Sequence, residues 1–159
     1  PVYLRFGRPK VPVFTDLKVK FEIGKGIILK KGEDVTIVAT GHLVWESLIA
    51  SEKLKNININ AEVINIHTIK PLDNKIILDS VKKTKCIVSA EEHQINGGLG
   101  DSISQLLVKN FPIPQEYVGV KDKFGESGKP EELMLKYGLN SENIIQKVVN
   151  VIRRKKIYL

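Results

Sequence analysis

The sequence predicts an α/β fold in which a mostly parallel sheet is covered by helices on both faces. Short β-branched runs recur at residues 35–40 (VTIVAT), 61–66 (AEVINI), 86–90 (CIVSA) and 115–120 (QEYVGV). The first and third are almost wholly apolar, as strands buried on both faces are. Helical patterns separate them, and strands alternating with helices build right-handed βαβ units.

The elements follow in order. PVYLRF, at the start, reads as a lone strand, and RPKVPVFTD after it as a proline-bearing extended linker. GKGIILKKGED reads as a short strand before a turn. Residues 43–55 pair Val44 with Leu48 and Trp45 with Ile49 at helical spacing. Residues 73–83 carry Ile76, Ile77 and Val81. In residues 97–109 the apolar positions are Leu99, Ile103, Leu106 and Leu107, one stripe of a helix. GKPEELMLKYGL opens on Pro130 and stops at Gly138, the asymmetry of a short helix. Ser141 is expected to cap a last helix striped with Ile144, Ile145, Val148, Val149 and Ile152.

Composition narrows the function. The 159 residues suit one domain. No apolar run approaches the ~18 residues that span a membrane, and no signal peptide is visible. The first residue is Pro rather than Met, so a processed, trimmed or excised chain is expected. Cys86 is the only cysteine, which rules out an internal disulfide and reads as a packed core thiol. A reducing, cytoplasmic setting is the expectation. Net charge is +7, and RRKK at 153–156 supplies four of the cations. That run reads as a solvated helix end, where cations suit the helix dipole, rather than as a nucleic-acid surface.

The stretch EEHQINGGLG, residues 91–100, concentrates chemistry. It follows the third parallel strand and precedes a helix, the edge where open α/β sheets bind ligands. Its glycines permit close backbone approach, and the helix start attracts anions. Yet the G-x-G-x-x-G fingerprint is absent, because Ile103 stands where a third small residue belongs, and no G-x-x-x-x-G-K-[ST] loop exists. His93 beside Glu91 and Glu92 has acid–base potential. His42 and His67 also follow predicted strands, so all three histidines belong on the carboxyl edge, but without a Cys pair or H-x-x-x-H they form a poor metal pattern. No G-x-S-x-G elbow supports a serine nucleophile. The plain alternative is a strand-to-helix turn whose polar side chains satisfy backbone groups or face a neighbouring domain.

The segments YLRFGRPKVP, FEIGKG, GEDVTIVATG, NIHTIKPLD, SAEEHQINGGLGDSISQLL and GVKDKFGESGKPEELMLKYGL stand in this order. Together they resemble the C-terminal part of the thiamine diphosphate-dependent transketolase family, over about residues 1–152. EEH with GGLG, and D-x-F-G-x-S-G at 122–128, carry the likeness jointly. The resemblance implies a three-layer α/β/α fold around a five-stranded mixed, mostly parallel sheet whose first strand, GIILKK, is antiparallel. It implies that residues 1–20 are the end of a pyrimidine-binding module plus linker, and that residues 21–159 are the C-terminal domain.

It implies further that thiamine diphosphate and its divalent metal (Mg) are bound by other modules. This chain then carries no catalytic, cofactor-binding or metal-binding residue and is inactive alone. Its expected partners are the N-terminal transketolase modules or subunit, further copies of itself, and a sugar-phosphate substrate, with neither nucleic acid nor membrane. The full enzyme would transfer a two-carbon ketol unit between sugar phosphates. One substrate-binding residue carries over: a family arginine at the module boundary contacts the substrate phosphate and falls on Arg8, where a guanidinium suits a phosphate. A 1-deoxyxylulose-5-phosphate synthase or the β subunit of a 2-oxo acid dehydrogenase stays open as an alternative, as does a non-catalytic oligomerisation or binding module.

Overall fold

A computed structural model describes residues 1–7, 10–16 and 19–158, the last without its side chain. Five strands run β1 (Ile27–Lys30), β2 (Val35–Ala39), β3 (Ala61–Asn65), β4 (Ile87–Gln94) and β5 (Gln115–Val120). Five helices join them: α1 (Leu43–Lys55), α2 (Asn74–Thr84), α3 (Leu99–Asn110), α4 (Pro130–Lys136) and α5 (Ser141–Tyr158). The sheet order is β1-β3-β2-β4-β5. β1 is antiparallel to β3, and the other neighbours are parallel. This is the mixed sheet, antiparallel at its first strand, that the resemblance implies.

The period-two alternation of strand side chains explains the three layers. Val35, Ile37 and Ala39 point to one face, where Leu43, Leu54, Ile144 and Val148 of α1 and α5 meet them. Val38, Ile64 and Ile87 point to the other, packed by Ile77, Val81, Ile103 and Leu107 of α2 and α3. Ile37, Ile64, Ile77 and Ile103 are wholly buried, and each contributes about 1.5–3 kcal/mol of apolar transfer. Thr36 is the polar exception in β2. Its Oγ1 lies 2.6 Å from Ser80 Oγ and 2.7 Å from Thr84 Oγ1, so the buried hydroxyls satisfy one another where α2 crosses.

Four expectations are corrected. PVYLRF forms no strand: residues 1–7 have no ladder partner among the described residues, and Arg5 Nη1 donates to the Glu92 carbonyl at the sheet's carboxyl edge at 2.8 Å. β4 is longer than CIVSA, because pairing with β5 resumes at Gln94 after an irregularity beyond Ala90. The cap of α5 is Asn140, not Ser141. Asn140 Oδ1 accepts the Asn143 amide at 2.9 Å, while the Ser141 amide is taken by Glu46 Oε2 at 2.7 Å. The RRKK run is only partly solvated. Arg154 pairs with Glu116 at 2.7 Å, and Lys155 Nζ donates to the carbonyls of Asp34 and Thr84.

Other boundaries follow from their caps. Asp73 Oδ1 accepts the Ile76 amide at 3.2 Å and opens α2. α4 begins at Pro130 and ends with Gly138 at φ 67°. There the Leu139 amide bonds the Met134 carbonyl and the Gly138 amide the Leu135 carbonyl, a Schellman closure. Ahead of the sheet, Phe14 stacks on Trp45 of α1 with ring centroids 6.1 Å apart, which pins the linker to the helix layer.

Candidate functional site

The parallel strands bring their carboxyl ends to one edge. His42 follows β2, His67 follows β3, and Glu91 to Gln94 close β4. β3, β2 and β4 are neighbours in the sheet, so these residues share the edge, as the sequence predicts.

Glu91 is 3% exposed. Its Oε2 accepts the Leu99 amide at 2.7 Å and its Oε1 the Gly100 amide at 2.8 Å. The carboxylate thus serves two of the orphan N–H groups that open α3, at the positive end of the helix dipole. Burial pushes the Glu91 carboxyl above its ordinary range, against the pull of the two amides and of His93. The glycines fit this cap. A Cβ on Gly98 would stand 2.2 Å from Glu91 Oε2, and one on Gly100 2.6 Å from the Tyr117 ring. Gly97 takes φ 76°, a left-handed conformation that favours glycine. GGLG is therefore a close-packed helix entry whose anion is the protein's own glutamate.

The next residue joins three elements. Glu92 Oε2 lies 2.9 Å from Nδ1 of His42, the residue that opens α1, while its carbonyl holds Arg5. The His42 ring lies against the backbone of Gly7, where a Cβ would come within 2.1 Å of Nε2. Arg8, the predicted phosphate contact, lies outside the described residues. No spacing in the sequence signals the Arg5–Glu92–His42 set, whose members come together only through the strand order.

The other histidines go elsewhere. His93 Nδ1 lies 2.9 Å from the Gln94 carbonyl and 3.9 Å from Glu91 Oε2. His67 lies under Phe21, ring centroids 4.5 Å apart, with Nδ1 3.0 Å from Thr68 Oγ1. Burial pushes the His67 imidazole down, so the neutral ring is favoured. Among the described residues no three His, Cys, Asp or Glu side chains are grouped to hold a metal ion. The shared edge of the histidines is thus not a shared site.

The two motif stretches do meet. Gln94 Oε1 accepts the Asp122 amide at 2.9 Å, and its Nε2 donates to the Lys123 carbonyl at 3.0 Å. The Tyr137 hydroxyl donates to the Phe124 carbonyl at 3.0 Å. The D-x-F-G-x-S-G loop is thereby tied to the end of β4 and to the end of α4, with the Phe124 ring left 98% exposed.

Comparison with known proteins agrees with the fold. Residues 24–144 match the family described as transketolase, C-terminal domain. The 6-deoxy-6-sulfo-D-fructose transketolase subunit SqwH of Clostridium sp. is 42% identical over 156 residues, 98% of this chain and 48% of the relative. A 1-deoxy-D-xylulose-5-phosphate synthase of Caldanaerobacter subterraneus is 38% identical over 151 residues, 94% of this chain and 24% of the relative. A solved chain described as "Split gene transketolase, inactive beta4 tetramer" superposes with a TM-score of 0.88 at 39% identity, covering 91% of this chain and 48% of that one. The chain thus spans about half or less of these relatives.

Proposed function

The chain belongs to the transketolase C-terminal domain family, and from that membership we propose that it works as the C-terminal part of a thiamine diphosphate-dependent transketolase. The whole enzyme moves a two-carbon ketol unit between sugar phosphates. In this reading residues 1–20 complete a pyrimidine-binding module and its linker, and residues 21–159 are the C-terminal domain. The chain contributes assembly surface and, through Arg8, a contact to the substrate phosphate.

One observation supports this division of labour: Glu91, the buried carboxylate of the carboxyl edge, is already held by two backbone amides. Thiamine diphosphate supplies the electron sink for ketol chemistry when bound, and its metal needs free oxygen ligands. Glu91 gives both oxygens to backbone amides, and Glu92 faces His42. Glu91 so engaged does not suit that metal, which supports a reading in which the other modules bind the cofactor. Exposed Val2, Tyr3, Leu4 and Phe6 support an assembly role for the first residues, since apolar side chains so placed suit a partner surface.

The test is reconstitution with the N-terminal modules. Calorimetry on the chain alone is expected to show no binding of thiamine diphosphate with Mg, and micromolar binding would overturn the assignment. In the assembled enzyme Arg8→Ala is expected to lower kcat/KM for phosphorylated sugars about 10- to 150-fold, the loss of one charge-assisted contact. Equal losses on the unphosphorylated sugar would withdraw Arg8. A 1-deoxyxylulose-5-phosphate synthase is the second reading, favoured by the relative of that name. A product assay of the assembled enzyme separates the two. The name of the Clostridium relative points to a sulfonated sugar, so a sulfonate-bearing substrate belongs in the same assay.

A further inference from the structure

We propose that Asn96 is a site of spontaneous covalent modification, through a cyclic imide closed by the Gly97 amide nitrogen, and that Asp101 restrains the reaction.

Asn96 is the only asparagine followed by glycine. An asparagine side chain reacts when the next backbone nitrogen reaches its Cγ, and a side chain on that next residue stands in the way. Gly97 has none, and no atom lies within 4 Å of where a Cβ would stand. Both residues are exposed in the turn between β4 and α3, where Gly97 takes φ 76°. The Asn96 side chain has no hydrogen-bond partner among the described residues, so no contact holds its carboxamide away from the nitrogen. Asn140 shows the opposite case. Its Oδ1 accepts the Asn143 amide, and the Ser141 nitrogen that would attack it donates to Glu46.

The chemistry balances with water alone. The Gly97 nitrogen loses its proton and bonds to Asn96 Cγ, and the side-chain nitrogen leaves as ammonia. Water then opens the ring at either carbonyl, giving aspartate or isoaspartate. One contact opposes the first step. The Gly97 N–H donates to Asp101 Oδ2 at 2.6 Å. That bond must open before the nitrogen turns on Cγ, and the carboxylate charge disfavours loss of the amide proton. Isoaspartate lengthens the main chain directly before Gly98, which is packed against Glu91 and the Gln94 carbonyl. The modified chain therefore loosens the entry to α3.

The full chain is kept in warm, mildly alkaline buffer and mapped after trypsin digestion. In peptide 86–109 Asn96 is the only asparagine. That peptide is expected to pass from amide to acid mass, with isoaspartate beside aspartate, while Asn140 stays an amide. Asn96→Gln, whose ring would be one atom larger, should stay unmodified there. Asp101→Ala should speed the conversion about 2- to 10-fold, the opening of one hydrogen bond. Asp101→Asn keeps a neutral acceptor and should speed it less. The isoaspartate form, separated by anion exchange, should melt below the parent.

A native chain still unmodified at Asn96 when the same chain in urea has fully converted would overturn the site. Aspartate without isoaspartate would overturn the cyclic route. Conversion no faster in Asp101→Ala than in the parent would overturn the restraint. If Asp101→Ala melts early, the rate of Asp101→Asn against the parent decides in its place.

Discussion

Glu91 Oε1 accepts the Gly100 amide at 2.8 Å across nine residues of chain, and its second oxygen holds the Leu99 amide. A stretch that carries acids, a histidine and a glycine cluster thus spends its best carboxylate on the start of a helix. Two charge-assisted bonds in a site only 3% exposed are worth more than their surface equivalents.

Glu91→Ala should therefore destabilise the protein by about 3 kcal/mol, read from urea unfolding, since it orphans two buried amides. Glu91→Gln should cost less, keeping one acceptor while turning an NH₂ toward an amide. The pH dependence has a definite sign. Burial raises the folded carboxyl above its ordinary 4.5, so the folded state holds this proton more tightly than the unfolded state. That contribution is present below about pH 4.5 and is lost as pH rises through the folded value. Over that window the stability of the parent should fall relative to Glu91→Gln, and an opposite slope would contradict the burial effect.

The neighbouring glycines should separate by mechanism. Gly97 has φ 76° and no atom within 4 Å of where a Cβ would stand, so Gly97→Ala meets only backbone strain of about 1 kcal/mol. Gly97→Val adds β-branching and should reach about 2 kcal/mol. Gly98 has an ordinary φ of −93°, but its Cβ would press on Glu91 Oε2 and the Gln94 carbonyl. Gly98→Ala should cost more than Gly97→Ala, roughly 2–3 kcal/mol, because it displaces the cap as well. Comparing melting curves of the two alanine variants checks the order.

What could be read in the sequence was local. VTIVAT and CIVSA announced buried strands because burial on both faces demands unbroken apolar runs. The stripe of Leu99, Ile103 and Leu107 announced α3, because a helix must turn one face inward. The polar turn at 91–100 was readable as a helix entry, but not that Glu91 alone would cap it. The His42–Glu92 pair was not readable. Fifty residues separate its members, and only the placement of β2 beside β4 brings them together. PVYLRF misled for the converse reason: its composition suits a strand, but strand structure needs a neighbour, and residues 1–7 have none among the described residues.

Cys86 is buried beneath Lys155 and Asp34, and burial pushes its thiol up to about 11. The thiolate is the reactive form, so alkylation at pH 8 should be negligible in the native state. Labelling in mild urea should follow global unfolding. Rapid modification of the native protein would show that the strand end opens locally.

The C-terminal cations should divide into structural and solvated. Lys155 Nζ donates to the Asp34 carbonyl at 3.0 Å and the Thr84 carbonyl at 2.9 Å. Those residues precede β2 and close α2, so the last turn of α5 is stapled to the amino edge of the sheet. Lys155→Met removes the lysine donor from both carbonyls, leaving Asp34 only the weak Cys86 thiol donor, and should cost about 1–2 kcal/mol. Arg153 and Lys156 are exposed, and Arg153→Met and Lys156→Met should each stay within about 0.5 kcal/mol. If the run existed to bind a polyanion, the exposed pair would set salt-dependent retention on an anionic matrix and Lys155 would be dispensable to folding. The observed contacts require the reverse for Lys155, and urea unfolding of the three variants decides it.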